Sequence, residues 1–212
     1  MHLNDINYLI NLQDVFVSIF EKDTEHSTLF LSVEISNPIQ ACPCCGVTHH
    51  TILKGIRPYP RLVRHLDCLA YQTYLRLPSI RLYCTKCDCS FTYIYDFVGE
   101  RERYTYSFQK QLFRALEGTT IQYVAEKYDL PYTTCERIIK QQLAKIVPDL
   151  QETVVKQAEE TDYLVIGIDD FANRKGHTYN TGFHDLRNGS LLAVTFGRTY
   201  SQLTQRSHLK AI

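Results

Sequence analysis

Seven of the eight cysteines in this 212-residue chain lie within 48 consecutive residues, and this cluster constrains the fold more than any other feature. Cys42 and Cys45 form one C-x-x-C pair, and Cys84 and Cys87 form a second pair after 38 intervening residues. Turns of this spacing can bring two thiolates each to one tetrahedral Zn²⁺ ion. A closed shell of four thiolates leaves no position for a substrate. The pattern therefore predicts a structural zinc site in a small β domain.

The choice of ligands within this cluster stays open at the level of sequence. Cys44 and Cys89 offer alternative spacings, and His49 or His50 could replace a thiolate. The remaining cysteines are interpreted as packing residues: Cys68 and Cys135.

The composition is that of an ordered, water-soluble chain. Hydrophobic residues make up 44% and charged residues 22%, which excludes wholesale disorder. No apolar run reaches the ~18–20 residues of a membrane-spanning helix. Met1–Asn11 lacks the apolar core of a secretory signal, so we expect a cytoplasmic protein in a reducing compartment.

The formal net charge is zero, but this total conceals a basic segment. Lys54–Cys87 holds seven basic residues and one acid, a net charge of +6, interleaved with tyrosines. Such a segment can bind phosphates and stack on bases, although a solvated surface offset by acids elsewhere is the alternative. The DNA contacts predicted in it are Arg57, Arg61, Arg64, Arg76 and Arg81.

Strand patterns occur at both ends of the chain. Val15–Phe20 and Thr28–Ile35 predict a hairpin, and Tyr71–Leu77 and Ser79–Tyr83 predict two strands of the cysteine-containing domain. Near the C-terminus, Asn188-Gly189 predicts a tight turn between strands at 176–186 and 190–196.

Helical periodicity occupies the middle of the chain. Phe108–Leu116 predicts a first helix, with Ser107 as its cap and Gly118 after its end. A second helix begins after Thr119 or Thr120.

A third helix follows the break at Asp129-Leu130-Pro131. It is predicted to run from Thr133 to about Ile146, ahead of Pro148 and a charged connector. Two helices joined by a short turn fit a helix-turn-helix, whose second helix enters the major groove of DNA, although other amphipathic helix pairs show the same periodicity. The contacts predicted on it are Thr133, Thr134, Arg137 and Lys140.

A pair of aspartates follows an apolar run near residue 165. Tyr163–Ile168 predicts a buried strand that ends in Asp169 and Asp170. Carboxylates in such a place are costly to desolvate unless a cation compensates, and two-metal phosphoryl-transfer sites present an acid this way. A solvated turn is the alternative. Arg174 and Lys175, just downstream, are predicted to contact DNA phosphates.

The order of these parts resembles that in transposases of the ISL-three insertion-sequence family. The resemblance rests on four motifs: Cys42-Pro43-x-Cys45-Gly46; Arg81-x-x-Cys84-x-x-Cys87-x-x-x-Phe91; the helix pair around Val124–Ile138; and Ile166-Gly167-Ile168-Asp169-Asp170-Phe171-Ala172-x-Arg174-Lys175-Gly176-His177-x-Tyr179. It implies a zinc ribbon and a helix-turn-helix that bind terminal inverted repeats of double-stranded DNA. A Mg²⁺-dependent ribonuclease-H-like domain with an Asp-Asp-Glu triad would follow. A homo-oligomer and a nucleoid-associated location in a bacterium are further implications.

On this resemblance Asp169 takes the place of the first catalytic acid, and Asp170 stands where the family often has Glu. The family's second Asp and its Glu lie downstream of the motifs found here, and Asp185 is a poor substitute for them. We therefore expect a truncated product that binds DNA without cutting it. A zinc-dependent helix-turn-helix regulator without catalysis is the alternative, and an inactive remnant is a third reading.

These inferences predict a modular α+β chain with an incomplete ribonuclease-H-like domain at its end. The predicted parts are an N-terminal helix and hairpin (1–40), a zinc-ribbon domain (41–99), a helix-turn-helix domain (104–147), a linker (148–161) and the start of the catalytic domain (162–212).

Overall fold

The computed structural model of the protein describes Ile10, Leu12 and residues 15–174 and 178–199, with only the backbone described for Asn173 and Arg174. The chain divides into two compact units, Met1–Ile139 and Lys140–Ile212. Helices and sheets occupy separate stretches of the described chain, which confirms the α+β class. None of the helices described is both long and apolar enough to cross a membrane.

Seven strands of the first unit precede its helices. They are β1 (Val15–Asp23), β2 (Thr28–Ile35), β3 (Thr51–Ile56), β4 (Arg61–Arg64), β5 (Gln72–Leu77), β6 (Ile80–Cys84) and β7 (Cys89–Thr92). The predicted N-terminal hairpin and the two strands around residue 78 are confirmed.

The larger sheet of this unit has the strand order β1-β2-β5-β4. β2 and β5 pair in parallel, while the other neighbours are antiparallel. Leu29, Leu31 and Val33 alternate along β2 and are buried, as expected for a strand with one face on a core. They pack with Val63 and Leu75 from the neighbouring strands. The N-terminal hairpin thus shares one sheet and one core with strands from the middle of the cysteine-containing segment.

The smaller sheet carries the cysteine turns and has the antiparallel order β3-β6-β7. Pro78 lies where the chain leaves β5 in one sheet and enters β6 in the other. Its carbonyl oxygen accepts a hydrogen bond of 2.7 Å from the hydroxyl of Tyr95.

Three helices follow: α1 (Tyr106–Arg114), α2 (Ile121–Lys127) and α3 (Tyr132–Glu159). The cap of α1 is Thr105, whose hydroxyl accepts from the Phe108 N–H, so the prediction of Ser107 was wrong. Thr120 caps α2 in the same way, through the Tyr123 N–H. The cap of α1 lies two residues earlier than predicted, because Tyr106 and Ser107 already belong to the first helical turn.

The three helices share an apolar core within the first unit. Phe108 and Leu112 of α1, Val124 of α2, and Cys135 and Ile138 of α3 are all buried in it. The predicted packing role of Cys135 is therefore confirmed.

Helix α3 continues through Pro148, contrary to the end predicted near Ile146. A proline inside a helix removes one backbone hydrogen bond, a cost that favours a break. The residues after Pro148 gain packing in return: Val154 and Ala158, one turn apart, lie against the apolar core of the second unit.

The second unit contains the antiparallel strands β8 (Ile166–Arg174), β9 (Thr178–Asp185) and β10 (Ser190–Phe196), in the order β10-β9-β8. The turn predicted at Asn188-Gly189 is confirmed, and Gly189 has the positive φ of +74° that such a turn requires. Phe183 and Leu192 of this sheet are buried against Ala158.

The prediction of a buried strand at Tyr163–Ile168 was wrong. The side chains of Tyr163 and Ile168 are 69% and 65% exposed. The strand begins at Ile166 and continues through both aspartates, and among the described residues it pairs with β9 alone. An edge strand with a single neighbour shields fewer side chains than the central strand that the apolar run had suggested.

Candidate metal centre and nucleic-acid interface

The first cysteine turn is a compact loop before β3. The Gly46 N–H donates to the Cys42 carbonyl at 2.8 Å, and the Cys42 N–H donates to the Val47 carbonyl at 3.1 Å. Gly46 adopts a φ of +70°, which costs glycine little. The Cys44 N–H points at the Cys42 sulfur, 3.4 Å away. These bonds fix the direction of the Cys42 side chain into the protein, where it is buried.

The second cysteine turn is the tip of the β6–β7 hairpin. Cys84 ends β6 directly across from Cys89, and Cys87 lies in the turn between them. Thr51 of β3 pairs with Cys84 of β6, and the Thr85 N–H donates to the His50 carbonyl at 2.9 Å. This pairing brings the second turn beside the first, although the two are distant in sequence.

Four sulfurs converge where the two turns meet. The Sγ atoms of Cys42, Cys45, Cys84 and Cys87 all lie within 4.8 Å of one another, and those of Cys45 and Cys84 are 3.8 Å apart. Tetrahedral Zn²⁺ with Zn–S bonds of ~2.3 Å requires sulfurs about 3.8 Å apart. The spacing and the soft thiolate donors fit such an ion. The cluster could therefore hold a metal ion such as zinc, and it is compatible with a zinc ribbon.

The thiols in the cluster shift one another's pKa values. Burial by itself would raise the pKa of the Cys42 thiol, but hydrogen bonds from the backbone N–H groups of Cys45 and Cys44 and from the Cys89 and Cys84 thiols together lower this pKa to about 6. Contact with the Cys45 thiol raises the pKa of Cys87, and contact with Cys42 raises that of Cys89. Crowded thiols thus resist losing several protons together, whereas a bound cation would favour their thiolate forms.

The alternative ligands are also placed by the structure. Cys44 and Cys89 join Cys42 in a second group of sulfurs within 4.8 Å of one another. The rings of His49 and His50 contact each other at 4.2 Å, and in the part of the chain described they belong to neither sulfur group. Cys68 packs against the core of the larger sheet, as predicted.

The basic segment presents fewer free cations than its sequence suggested. Arg57 and Arg81 are exposed, as are Lys54 and Lys86. Lys54 donates to the Ser90 hydroxyl at 3.2 Å and lies 5.4 Å from the Tyr83 ring centre. These residues lie on the smaller sheet and in the segments next to it, with Lys86 in the second cysteine turn and Arg57 at the opposite end of β3.

Three of the predicted DNA contacts are engaged within the protein. Arg61 donates to the carbonyls of Gly99 and Glu100. Arg76 forms an ion pair of 2.7 Å with Glu21. Arg64 is only 3% exposed and is therefore not part of the accessible basic surface. Charge counting could not separate these arginines from the exposed ones, because it contains no information on burial.

Arg64 belongs to a buried polar node that sequence reasoning missed. Its guanidinium donates to Asp67 and to Gln72, both at 2.8 Å, and it lies 5.1 Å from the ring centre of Phe108 in α1. The neighbouring His65 is bound to the Thr105 hydroxyl at 3.0 Å. Burial lowers the pKa of His65 to about 4, which keeps its ring neutral. The node joins β4 to the start of α1.

The turn between α2 and α3 has a defined geometry. Asp129 adopts a φ of +53°, and the Leu130 N–H donates to the Ala125 carbonyl at 2.9 Å. Pro131 precedes the first turn of α3 and accepts from the Thr134 and Cys135 N–H groups. Small Ala125 is buried at the contact between the helices. The two helices and their short turn match the predicted boundaries to within one residue at the start of α3.

The predicted contacts on α3 are accessible to different degrees. Thr133 and Arg137 are exposed near the start of the helix, and Thr134 is half-buried. Lys140 is exposed one turn later, in the part of α3 assigned to the second unit. Tyr123 and Tyr132 add exposed aromatic rings on α2 and α3.

The two aspartates lie in the middle of β8 instead of following a buried strand. Both are exposed, and as adjacent residues of a strand they point to opposite faces of the sheet. Asp170 accepts a hydrogen bond of 2.6 Å from Thr181 on β9. Among the described residues, neither aspartate belongs to a group of three potential ligands. For Arg174 only the backbone is described, and Lys175 lies outside the described residues.

Asp185 is buried and paired with an arginine. It is 1% exposed and forms a bidentate ion pair with Arg187, at 2.6 Å for the shortest contact. The Arg187 guanidinium also donates to the Tyr163 carbonyl and the Thr161 hydroxyl. The hydrogen bonds from Arg187 hold the pKa of Asp185 below its usual value. The carboxylate of Asp185 is therefore occupied by its ion pair with Arg187.

Comparison with known proteins finds similarity to an insertion-sequence transposase. The chain is similar to the transposase for insertion sequence element IS1001 of Bordetella parapertussis, with 24% identity over 176 residues. The alignment covers 81% of this chain and 40% of the relative, so the chain spans about two fifths of the relative's length. No protein-family model matches, and no solved structure matches significantly. The similarity supports a relationship to insertion-sequence transposases, while the ISL-three subtype stays a prediction.

Proposed function

We propose that this chain is the DNA-binding part of an insertion-sequence transposase of the ISL-three type, and that it binds the terminal inverted repeats of its element. The observation that carries the proposal is the similarity to the IS1001 transposase over 81% of the chain. Homo-oligomer formation and association with the bacterial nucleoid belong to the same proposal, because assembled transposases act on chromosomal DNA.

In this proposal α2 and α3 act as a helix-turn-helix, with the start of α3 in the major groove. Three features support it: a short turn fixed by backbone hydrogen bonds, a small residue at the helix contact, and exposed polar side chains at the start of α3. Residues at the N-terminal end of such a helix reach base edges. Thr133 and Arg137 would then contribute to sequence selection, with half-buried Thr134 beside them. Lys140 would contact a phosphate one turn later.

The smaller sheet supplies the second proposed DNA contact. Arg57 and Arg81 are exposed there, together with Lys54 and Lys86, and the four are spread along the sheet from its cysteine turns to its opposite end. Cations of this kind bind phosphates without reading sequence, so they would raise affinity for any duplex and make it sensitive to salt.

Zn²⁺ is the proposed cofactor of this sheet, held by Cys42, Cys45, Cys84 and Cys87. Four thiolate ligands close its coordination shell, so the ion would cross-link the two turns and take no part in catalysis. The exposed cations on the sheet depend on that cross-link for their relative positions.

Catalysis is assigned to the complete transposase and not to these residues alone. Asp169 is proposed as the first acid of a ribonuclease-H-like site that uses Mg²⁺, with Asp170 beside it and the Arg174 and Lys175 positions near DNA phosphates. The described residues do not form a two-metal site, because the two aspartates point to opposite faces and Asp170 is bound to Thr181. We therefore expect binding without strand cleavage.

Fluorescence anisotropy with selected DNA tests this proposal. Duplexes that the chain enriches from a randomised pool serve as specific probes, and the starting pool serves as the non-specific one. Arg137→Gln should weaken binding to the selected duplex about tenfold, since an arginine at a base edge contributes ~1–3 kcal/mol. Lys156→Gln is the matched control, because this exposed cation on the same helix pairs with Glu152.

Three results would count against the proposal. Equal affinity for selected and unselected DNA would contradict sequence recognition. Equal effects of the two variants would contradict the placement of α3. Mg²⁺-dependent cleavage that disappears in Asp169→Ala would contradict binding without cutting.

A further inference from the structure

Three cysteines of the cluster remain after a four-thiolate site is filled, and two of them, Cys44 and Cys89, lie beside that site. Cys44 lies between the two cysteines of the first turn, and Cys89 begins β7, two residues after Cys87. Their sulfurs lie within 4.8 Å of each other and of the Cys42 sulfur. The Cys42 and Cys89 sulfurs are 3.5 Å apart.

Cys42 therefore belongs to both sulfur groups. Its Sγ lies within 4.8 Å of the three other members of the first group and of Cys44 and Cys89. A thiolate sulfur has more than one lone pair and can bridge two metal ions. The arrangement places six sulfurs around two adjacent positions with one sulfur in common.

We propose that the cluster binds two thiophilic divalent cations, such as Zn²⁺ or Cd²⁺, with Cys42 as a bridging ligand and with Cys44 and Cys89 completing the protein ligands of the second ion. This inference rests on the proposed zinc site, because the bridge uses one of its ligands.

The second ion would be more accessible than the first. It has three protein sulfurs, so solvent completes its coordination, and Cys44 is exposed. The first ion would have four protein sulfurs, and two of these ligands, Cys42 and Cys84, are buried. We expect the second ion to exchange faster and to leave first when a chelator is added.

Metal stoichiometry of the full chain tests the inference. After reconstitution with Zn²⁺ and removal of free metal, elemental analysis should give two ions per chain. The double variant Cys44→Ser/Cys89→Ser should retain one. Cys68→Ser is the matched control, since it removes a thiol that belongs to neither sulfur group and should retain two. The single variant Cys44→Ser changes an exposed side chain, so it provides a second test with little effect on folding.

The bridge has its own signature. With ¹¹³Cd²⁺ as the probe, nuclear magnetic resonance should show two resonances with a scalar coupling transmitted through the shared sulfur. The coupling and one resonance should disappear in the double variant.

The outcomes separate this inference from the proposed zinc site. One ion per chain in both the parent and the double variant would overturn the second ion and leave the four-thiolate site standing. No bound ion would overturn both. Two ¹¹³Cd resonances without coupling would overturn the bridging role of Cys42.

Discussion

The cysteine cluster and the aspartate pair were both predicted to hold metal, yet the backbone presents them in opposite ways. The cysteines lie on two tight turns brought together by the pairing of β3 with β6, and four sulfurs converge within 4.8 Å. Asp169 and Asp170 are neighbours in sequence, but on an extended strand they diverge to opposite faces. Closeness in sequence thus brings side chains together on a turn and separates them on a strand.

The largest effect should follow from removal of a cysteine ligand. Cys84→Ser takes away one of the four thiolates proposed to hold Zn²⁺, an ion whose binding supplies ~10–16 kcal/mol in small zinc domains. We expect loss of bound zinc and a thermal transition of the smaller sheet many degrees lower, measured by elemental analysis and calorimetry. Cys68→Ser should change neither quantity comparably. Full zinc content in Cys84→Ser would show that the turns do not converge on a shared ion.

The second prediction concerns how the stability of each of the two units depends on pH. The folded-state pKa of His65 is about 4, below the ~6.5 of an unfolded histidine, so the unfolded chain binds more protons between these values. The free energy of unfolding of the first unit should fall by at most about 3 kcal/mol as the pH drops from 6.5 to 4. In the second unit the pKa of Asp185 is lowered. Its contribution to the free energy of unfolding therefore persists until the pH falls below the pKa of an ordinary aspartate.

Denaturant titrations between pH 7 and 4 would measure this difference. His65→Gln should flatten the dependence, because glutamine does not titrate. His26→Gln is the matched control, since His26 is exposed and pairs with Asp23 at the surface. If the free energy of unfolding of His65→Gln still depended steeply on pH, that dependence would have to come from other titrating groups.

The third and smallest prediction compares two acids of the second unit. Asp185→Asn keeps the shape of the side chain but removes the charge that holds Arg187, so the thermal midpoint should fall. Asp169→Asn changes an exposed residue and should alter stability by less than about 0.5 kcal/mol. Equal effects of the two variants would mean that Asp169 has a structural role the exposed position does not suggest.

Local features of the fold were predictable from sequence. The Asn188-Gly189 turn, the break at Asp129–Pro131 and the Thr120 cap each depend on a few adjacent residues with strong conformational preferences. The cysteine spacing likewise reports a local turn geometry, and this made the candidate metal site visible before the structure.

Non-local features were not predictable in the same way. The helix α3 passes Pro148 because Val154 and Ala158 find a core supplied by distant strands. Arg64 is buried because Asp67, Gln72 and an aromatic ring of α1 surround it. A helix-breaking residue or a positive charge is visible in sequence, but the contacts that compensate for it come from elsewhere in the chain.

The parallel pairing of β2 with β5 sets the order in which the first unit can fold. The 36 residues between these strands must close into a loop before the pairing gains any contacts, and closure of that kind slows folding. A metal ion that first joined the turn at Cys42–Cys45 to the turn at Cys84–Cys87 would leave only two short segments to align the strands. If the cluster binds such an ion as proposed, we expect the ion to raise the rate of folding as well as the final stability.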